Sequence, residues 1–385
     1  MYSFTVNGKL VETEKEVSLL RFLRDDLKLK SIKDGCSQGA CGTCTIIIDG
    51  KATRACVMTT KRAQGMNIVT VEGLSDEEKE IFVYAFGAKG AVQCGFCIPG
   101  MVMSGKALVD KNPNPTEAEI KEAIKGNICR CTGYKKIIEA IDLVAQIKRG
   151  DKHIDKELEK GDNFGVGSNA FRIDVREKVL GYGEYCDDVE MDDMLHVSAV
   201  RSKYPRARIL DIDVSEALAM DGVVAIYTAE DVPNNKVGHL QQDWDVMIPK
   251  GEITRFVGDA ICLVVAESED ILKKAKALVK VDYEVLEPVR NITEAMAKDA
   301  PNIHPNGNLC QSRHVRRGDT EAAIKNSKYV VTETFDTPFT EHAFLEPECA
   351  IAFPYKDGVK IYSSDQSVFD TRKEVAIMFG WDPEK

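Results

Sequence analysis

Residues 35–44, Gly35-Cys36-Ser37-Gln38-Gly39-Ala40-Cys41-Gly42-Thr43-Cys44, form a glycine-rich loop that contains three cysteines. The chain before this loop predicts a β-hairpin, because the alternating apolar residues of Tyr2–Val6 lead into Asn7-Gly8. Ser18 then caps a segment whose leucine spacing is typical of a helix. A β-branched strand, Thr45–Ile48, follows the loop and turns back into a second strand. We therefore expect a small mixed sheet packed on one helix, with the cysteine loop at one edge.

The loop cysteines have the spacing Cys-x4-Cys-x2-Cys, and a fourth cysteine follows after the next two strands. This is the plant-type spacing of a [2Fe–2S] cluster, in which four thiolates surround two irons. Gly35, Gly39 and Gly42 permit positive φ angles and let backbone N–H groups approach the sulfurs. A zinc loop is the alternative, because four-cysteine zinc sites also use gaps of two to four residues. The predicted cluster ligands are Cys36, Cys41, Cys44 and Cys56.

Residues 75–150 predict four short helices, which form a compact bundle. Capping boxes open the first helix at Ser75-x-x-Glu78 and the third at Thr116-x-x-Glu119. Pro99 stands at the start of the second helix, and the apolar spacing after Tyr134 indicates the fourth.

Two further cysteine pairs fall at turns between these helices, where their side chains can converge. A Cys-x-x-Cys pair by itself suits zinc, a redox dithiol or an iron–sulfur cluster. A thioredoxin-like dithiol is excluded, because no βαβ pattern surrounds the pair. Zinc remains an alternative to iron at this stage. The four residues are Cys94, Cys97, Cys129 and Cys131.

The composition of the 385-residue chain is that of an ordinary globular protein, with 44% hydrophobic and 29% charged residues. Its 51 Lys and Arg residues against 62 Asp and Glu give a net charge of −11. Nucleic acid is excluded as a partner, because phosphate binding needs clustered basic residues. Apolar runs such as Ala260–Ala266 are far shorter than the roughly 20 residues of a membrane-spanning helix. We expect two or three domains, a cytoplasmic location, no secretory signal and no membrane contact.

Eight of the twelve cysteines lie in the first 131 residues, in tight groups. Disulfides seldom persist in the cytoplasm, so metal ligation explains these groups better than disulfides do. The other four are expected to be small buried hydrophobes without a functional role: Cys186, Cys262, Cys310 and Cys349.

The second half of the chain predicts a mixed domain after a polar linker over residues 151–170. Gly165-x-Gly167-x-x-Ala170 imitates a dinucleotide fingerprint, but no strand precedes it and no periodic helix follows, so nucleotide binding is not expected. From Phe171 the chain alternates strands with a helix near Asp270–Leu278, and we expect an α+β or α/β domain with a sizeable core. The predicted strands are Leu195–Val200, Ile209–Val214, Val223–Tyr227, Ile261–Ala266, Val279–Tyr283, Tyr329–Phe335, Cys349–Ala352 and Val359–Tyr362.

Two strings carry a resemblance to a known family: Gln93-Cys94-Gly95-Phe96-Cys97-Ile98-Pro99-Gly100 and Cys129-Arg130-Cys131-Thr132-Gly133-Tyr134. Together with the plant-type loop, they resemble the two-cluster unit of the molybdenum hydroxylases, the family of xanthine dehydrogenase and aldehyde oxidoreductase. The resemblance implies that Cys94, Cys97, Cys129 and Cys131 hold a second [2Fe–2S] cluster. It further implies that Gln93 and Cys131 lie against the pterin of a molybdenum–molybdopterin cofactor, in its simple or cytosine dinucleotide form.

The resemblance implies an α+β multidomain fold. Its parts would be a β-grasp, plant-ferredoxin-like domain (1–74), a four-helix [2Fe–2S] bundle (75–150), a linker (151–170), an α/β hammerhead-like domain (171–295) and an incomplete start of the molybdopterin-binding domain (296–385). The strings at 178–188, 255–259 and 342–347 resemble the opening of the family's molybdenum-binding subunit.

Two further features of the molybdenum-type region are candidates for a role: Gln366, and the pair His342 and Glu346. Ser363-Ser364-Asp365-Gln366 stands where the family has Ser-Thr-Gln, which would place Gln366 on an oxygen bound to molybdenum. Asp365 departs from that pattern, and a surface amide at a strand end is an equal alternative for Gln366. His342 and Glu346 are four residues apart, but a structural role in a turn is favoured over a metal site because no third ligand is near.

The functional hypothesis is the electron-exit half of a molybdenum hydroxylase that oxidises a purine with water-derived oxygen. The alternatives are an aldehyde oxidoreductase of the same family, a non-catalytic two-cluster electron-transfer protein and a zinc-stabilised interaction module. No flavin domain intervenes and the family's catalytic glutamate is not present, so we expect a portion or a subunit of a larger enzyme. The expected partners are a flavin subunit or another electron acceptor, the remainder of the molybdenum subunit and a second copy of the chain.

Overall fold

The computed structural model describes residues 1–155, 165–167 and 170–384. The described chain divides into two units. The first comprises residues 1–189, 338–351 and 361–364, and the second comprises 190–337, 352–360 and 365–385. Most of the predicted linker, and the middle of the Gly165-x-Gly167-x-x-Ala170 string, lie outside the described residues.

The first unit begins with a five-stranded sheet of order β2-β1-β5-β3-β4. The strands are β1 (Tyr2–Val6), β2 (Lys9–Thr13), β3 (Thr45–Ile48), β4 (Lys51–Arg54) and β5 (Asn67–Val69). β1 pairs in parallel with β5, and the other pairings are antiparallel. The predicted hairpin is confirmed, with positive φ angles at both turn residues, Asn7 (51°) and Gly8 (78°).

The helix predicted after Ser18 is present but irregular. It consists of a single α-turn, α1 (Leu19–Arg21), continued by a π-helical turn over Phe22–Asp26. Ser18 makes no side-chain cap, which corrects the expectation. The backbone N–H of Leu19 donates instead to the Met58 carbonyl at 2.9 Å, so a neighbouring loop satisfies the helix start. Phe4, Leu19, Leu23, Ile46 and Ile68 form the centre of the core beneath the sheet.

The four predicted helices of the bundle are confirmed as α2 (Asp76–Ala88), α3 (Ile98–Lys111), α4 (Glu117–Ile124) and α5 (Lys135–Lys148). Both capping boxes form as predicted, and Pro99 lies in the first turn of α3. The next helix, α6 (Val175–Leu180), packs its buried residues into the bundle's core. The segment around α6 therefore belongs to the same hydrophobic cluster as the four helices.

The second unit contains a three-stranded antiparallel sheet, in which β11 (Ala260–Ala266) lies between β6 (His196–Arg201) and β8 (Val223–Thr228), and a ribbon in which β7 (Ala207–Asp213) pairs with β12 (Lys280–Val285). Its core is smaller than expected, because its two buried clusters contain only four and three buried residues. The other strands and α-helices after α6 are α7 (Ser215–Leu218), β9 (Lys236–Val237), β10 (Trp244–Asp245), α8 (Glu269–Leu278), α9 (Ile292–Ala295), α10 (Thr320–Asn326), β13 (Ala350–Tyr355), β14 (Gly358–Ser363) and α11 (Val368–Phe379), of which β13 and β14 have residues in both units.

Two predictions for the second half were wrong. Tyr329–Phe335 is not a strand: it has no regular structure, and its apolar side chains are exposed because no neighbouring strand pairs with it. Of the four scattered cysteines, Cys262 is buried as expected, whereas Cys310 is exposed and Cys186 and Cys349 are half-buried. No helix in the described part of the chain has the length and apolar character that crossing a bilayer would require.

Candidate functional site

The first cysteine set (Cys36, Cys41, Cys44 and Cys56) has three members on the glycine-rich loop, whose backbone is arranged to stabilise a thiolate. The Cys36 sulfur accepts the N–H groups of Gln38 and Cys41, each at 3.4 Å. Burial works against ionisation of Cys36, but these backbone donors outweigh it and lower its pKa to about 7. The loop thus favours the form of cysteine that ligates metals.

Glycines give this loop its tight path. A Cβ at Gly35 would lie 3.2 Å from the Cys41 sulfur and 3.1 Å from the Thr43 hydroxyl oxygen. Gly39 has a φ of +75°, and a Cβ there would meet Val57 at 2.6 Å. The predicted role of the glycines is therefore consistent with their surroundings, since a Cβ at Gly35 would crowd the loop's own Cys41 and Thr43, and one at Gly39 would collide with Val57.

The four thiols of the first set are neighbours in two pairs. Cys36 interacts with Cys41, and Cys44 interacts with Cys56. Burial first, and then the Cys56 thiol, raises the pKa of Cys44 to about 12. Bound cations are what hold such buried thiols in the thiolate form.

The second set lies at the helix junctions of the bundle and is also paired. The Cys97 thiol lies close to that of Cys129, and the Cys94 thiol lies close to that of Cys131. The Cys97 thiol lowers the pKa of Cys129 to about 5, and Cys129 together with burial raises the pKa of Cys97. The Tyr134 hydroxyl accepts the Cys129 N–H at 2.9 Å and so holds the loop that carries Cys129 and Cys131.

The arrangement of the thiols fits iron–sulfur clusters. In a [2Fe–2S] cluster each iron takes two protein thiolates, whereas a structural zinc draws four ligands to one point. Each set offers four neighbouring thiols, and in the first set backbone N–H groups also donate to the Cys36 sulfur. This donor chemistry fits a two-iron centre.

The two cysteine sets are joined by backbone contacts. The N–H of Ile128, the residue before Cys129, donates to the Cys41 carbonyl at 2.8 Å. Asn127 is buried beside this bond, and its amide donates to the Gly42 carbonyl at 2.9 Å and the Thr45 hydroxyl at 3.1 Å. One hydrogen bond thus connects Cys41 of the first set to Ile128, which directly precedes Cys129 of the second set.

Close packing of glycines makes this junction possible. Gly42 has a φ of +76°, and a Cβ there would lie 2.3 Å from the Gly126 carbonyl oxygen. A Cβ at Gly100 would lie 2.6 Å from the Gly42 carbonyl oxygen. The two backbones approach each other more closely than any side chain would allow.

The structure brings together two of the three residues predicted to contact the molybdopterin cofactor. The Gln93 amide donates to the Cys131 carbonyl at 2.9 Å, and the Gln93 carbonyl accepts Arg172 at 2.7 Å. Gln366 belongs to the second unit, where it is exposed just before α11. Asp365, the departure from the family pattern, accepts the Ser367 N–H at 2.9 Å and so helps to form the turn that leads into α11.

Sequence reasoning assigned no role to three side chains that surround the second cysteine set. Lys178 donates to the Cys94 carbonyl at 2.6 Å, and the Tyr185 hydroxyl donates to the same oxygen at 2.8 Å. Arg172 holds the adjacent Gln93 carbonyl. Lys178 and Tyr185 stand in a string already noted for its family resemblance, but nothing in their spacing shows that they meet Cys94.

A buried ion triad anchors the same segment to the first domain. Asp188 receives Arg24 at 2.7 Å and Lys33 at 2.8 Å, and all three side chains are at most 10% exposed. Burial alone would raise the pKa of Asp188, but Lys33 and Arg24 outweigh it and lower that pKa.

His342, one of the pair that could suggest a metal site, is exposed, and its backbone carbonyl accepts a hydrogen bond from Arg130 at 2.9 Å.

Four family models match the chain: the 2Fe-2S iron-sulfur cluster binding domain at residues 3–81, the [2Fe-2S] binding domain at 70–142, the a/b hammerhead domain of aldehyde oxidase and xanthine dehydrogenase at 180–287, and the molybdopterin cofactor-binding domain at 303–385. The chain is 45% identical over 142 residues to the nicotinate dehydrogenase small FeS subunit of Eubacterium barkeri, and covers 90% of that protein. The chain belongs to the molybdenum hydroxylase family.

Two further similarities extend over nearly the whole chain. The aldehyde oxidoreductase of Megalodesulfovibrio gigas is 35% identical over 94% of the chain, which spans 42% of that relative's length. The solved structure of the aldehyde oxidoreductase from Desulfovibrio gigas superposes with a TM-score of 0.82 at 32% identity, covering 100% of this chain and 45% of that one. The molybdenum hydroxylase family thus accounts for both halves of the sequence, and this mixed α/β fold is that of its aldehyde oxidoreductase members.

Proposed function

We propose that the chain carries the two iron–sulfur centres and part of the molybdopterin site of a molybdenum hydroxylase. The observation that carries the proposal is the direct backbone link between two four-cysteine sets, from Ile128 to Cys41. A [2Fe–2S] cluster, when bound, accepts and passes on one electron at a time. The proposed ligands are Cys36, Cys41, Cys44 and Cys56 for one centre and Cys94, Cys97, Cys129 and Cys131 for the other.

The residues of the chain support a fixed order of electron transfer. Gln93 and Cys131 sit together in the second set, and we propose that they face the pterin, with Gln366 as a further contact. Electrons would then pass from the second set through the Ile128–Cys41 junction to the first set. Across this junction, residues of the chain would hold the two centres at a constant separation.

The finer architecture is part of the same proposal. It comprises a β-grasp domain (1–74), a four-helix bundle (75–150), a hammerhead-like domain (171–295) and the start of the molybdopterin-binding domain (296–385).

We propose a purine as the substrate, from the layout in which the molybdenum-type domain directly follows the cluster domains. An aldehyde is the second candidate, favoured by the near full-chain similarity to an aldehyde oxidoreductase. We further propose three partners: a flavin subunit or other electron acceptor, the rest of the molybdenum subunit, and a second copy of the chain. The proposed cofactor form is the cytosine dinucleotide, and the proposed location is the cytoplasm.

Metal analysis of the purified protein tests the assignment. We expect about four irons per chain, with the visible absorbance of two [2Fe–2S] clusters. Zinc is colourless and would replace iron if the cysteines formed zinc sites. Stoichiometric zinc without iron would contradict the proposed function.

Two cysteine variants test the electron order in the holoenzyme. Cys131→Ser should damage the second centre and the pterin contact together, so that substrate reduces molybdenum poorly. Cys56→Ser should spare that reduction but block electron exit, because Cys56 belongs to the first set. Rapid-mixing measurements of molybdenum reduction by a purine and by an aldehyde compare the variants and the substrates. Equal losses in both variants would refute the order.

A further inference from the structure

The carbonyl of Cys94 is held by two donors from outside the bundle. The Lys178 ammonium donates to it at 2.6 Å and the Tyr185 hydroxyl at 2.8 Å. Lys178 extends from α6, and its side chain is only 15% exposed. A cation that is largely shielded from water acts more strongly on its neighbours than an exposed one.

The backbone next to Cys94 is shaped to receive this lysine. Gly95 has a φ of +90°, and a Cβ there would lie 2.6 to 2.8 Å from the Cδ, Cγ and Cβ atoms of Lys178. The stem of Lys178 therefore packs directly on the Cys94–Gly95 peptide. Its ammonium also lies 5.0 Å from the centre of the Tyr185 ring, which fixes it from a second side.

The positive charge of Lys178 is not neutralised by a carboxylate of its own. Asp174 lies 3.7 Å from the Lys178 ammonium, but Asp174 is shared with Arg172 at 2.9 Å. Glu346 is the other carboxyl that faces the two cations, and burial raises its pKa. Lys178 and Arg172 thus share Asp174 as their close carboxylate, and Lys178 contacts the Cys94 peptide.

We propose that Lys178 raises the reduction potential of the centre held by Cys94, Cys97, Cys129 and Cys131. Reduction adds negative charge to an iron–sulfur centre, and a nearby cation with a hydrogen bond to a ligand residue stabilises the reduced form. Lys178 is a tuning residue in this role, since it acts through the Cys94 peptide. The inference rests on the proposed cluster assignment.

The test is a redox titration of the whole iron-loaded protein, followed by electron paramagnetic resonance of each centre. Lys178→Met should make reduction of the second centre about tenfold less favourable, a fall of about 59 mV for a one-electron couple. The first centre should keep its potential. Lys178→Arg should restore the second centre's potential, because it returns the charge. Lys136→Met, which removes an exposed lysine from the same bundle, is the matched control and should change neither centre.

The possible outcomes separate the two proposals. Absence of iron from the second set in the unmodified protein refutes the cluster assignment itself. Full iron content in Lys178→Met with an unchanged potential refutes the role of Lys178 alone. If Lys178→Met fails to assemble, Tyr185→Phe removes the other donor to the Cys94 carbonyl without changing charge. Its second centre should then titrate at a lower potential, and an unchanged value would overturn the inference.

Discussion

Replacing Asn127 by Ala should loosen the junction between the two cysteine sets. The Asn127 side chain makes three hydrogen bonds, to Gly42, Thr45 and Ser104, at 2.8 to 3.1 Å. Asn127 is 4% exposed, so water cannot easily replace these partners. At about 1 kcal/mol for each net hydrogen bond, the variant should lose about 3 kcal/mol of stability. The buried Ser104 hydroxyl also loses its acceptor, which makes this a lower bound.

Thermal unfolding of the full chain, followed through the visible circular dichroism of the clusters, measures this loss. At about 2–4 °C per kcal/mol for a domain of this size, the midpoint should fall by roughly 6–12 °C. Asn114→Ala, which truncates an exposed asparagine in the loop before α4, is the matched control and should unfold like the unmodified protein. Equal midpoints for Asn127→Ala and Asn114→Ala would refute the reasoning, because they would show that the buried bonds contribute nothing.

Three further perturbations have definite expected outcomes. Gly42→Ala should abolish stable iron incorporation, because its Cβ would lie 2.3 Å from a backbone oxygen at a φ of +76°, and iron content checks this. Lys106 and other partners, working against burial, lower the pKa of Glu78 from 4.5 to about 2. The stability that Glu78 contributes is therefore complete above about pH 4.5 and lost as the pH falls towards 2, and acid unfolding of Glu78→Gln should lack this component. Asp188→Asn leaves the buried Lys33 without its counter-charge and should cost about 3–5 kcal/mol in denaturant unfolding, whereas a loss below 1 kcal/mol would contradict the triad's role.

Local sequence signals predicted the first 150 residues well because each acts over a few neighbours. The capping boxes at Ser75 and Thr116 are satisfied within one helical turn, so the sequence alone contains all their partners. The Asn7-Gly8 turn is likewise a local preference for positive φ. Ser18 was the exception: its side chain caps no helical N–H, and the first N–H of the helix, that of Leu19, bonds to the Met58 carbonyl about 40 residues away.

Contacts across long sequence separations could not be predicted in this way. Asn127 meets Gly42 across 85 residues, and Lys178 meets Cys94 across 84. Neither has a periodicity or a motif that indicates its partner. The prediction of a strand at Tyr329–Phe335 was wrong for a related reason. These residues have the composition of a strand, but a strand needs a neighbour to pair with, and none lies beside them in the described chain.

On the proposed electron path, the Ile128–Cys41 bond and the Lys178–Cys94 contact would have different effects. At the junction, the link from Ile128 to Cys41 is a backbone bond made possible by glycines, and it would set the separation and orientation of the two centres. At Cys94, the contact is a charged side chain, and it would set the reduction potential of the second centre. Variants of the junction should therefore change the rate of exchange between the centres while leaving their potentials in place. Variants of Lys178 should do the reverse, because a lost charge shifts an equilibrium without moving the backbone that sets the distance.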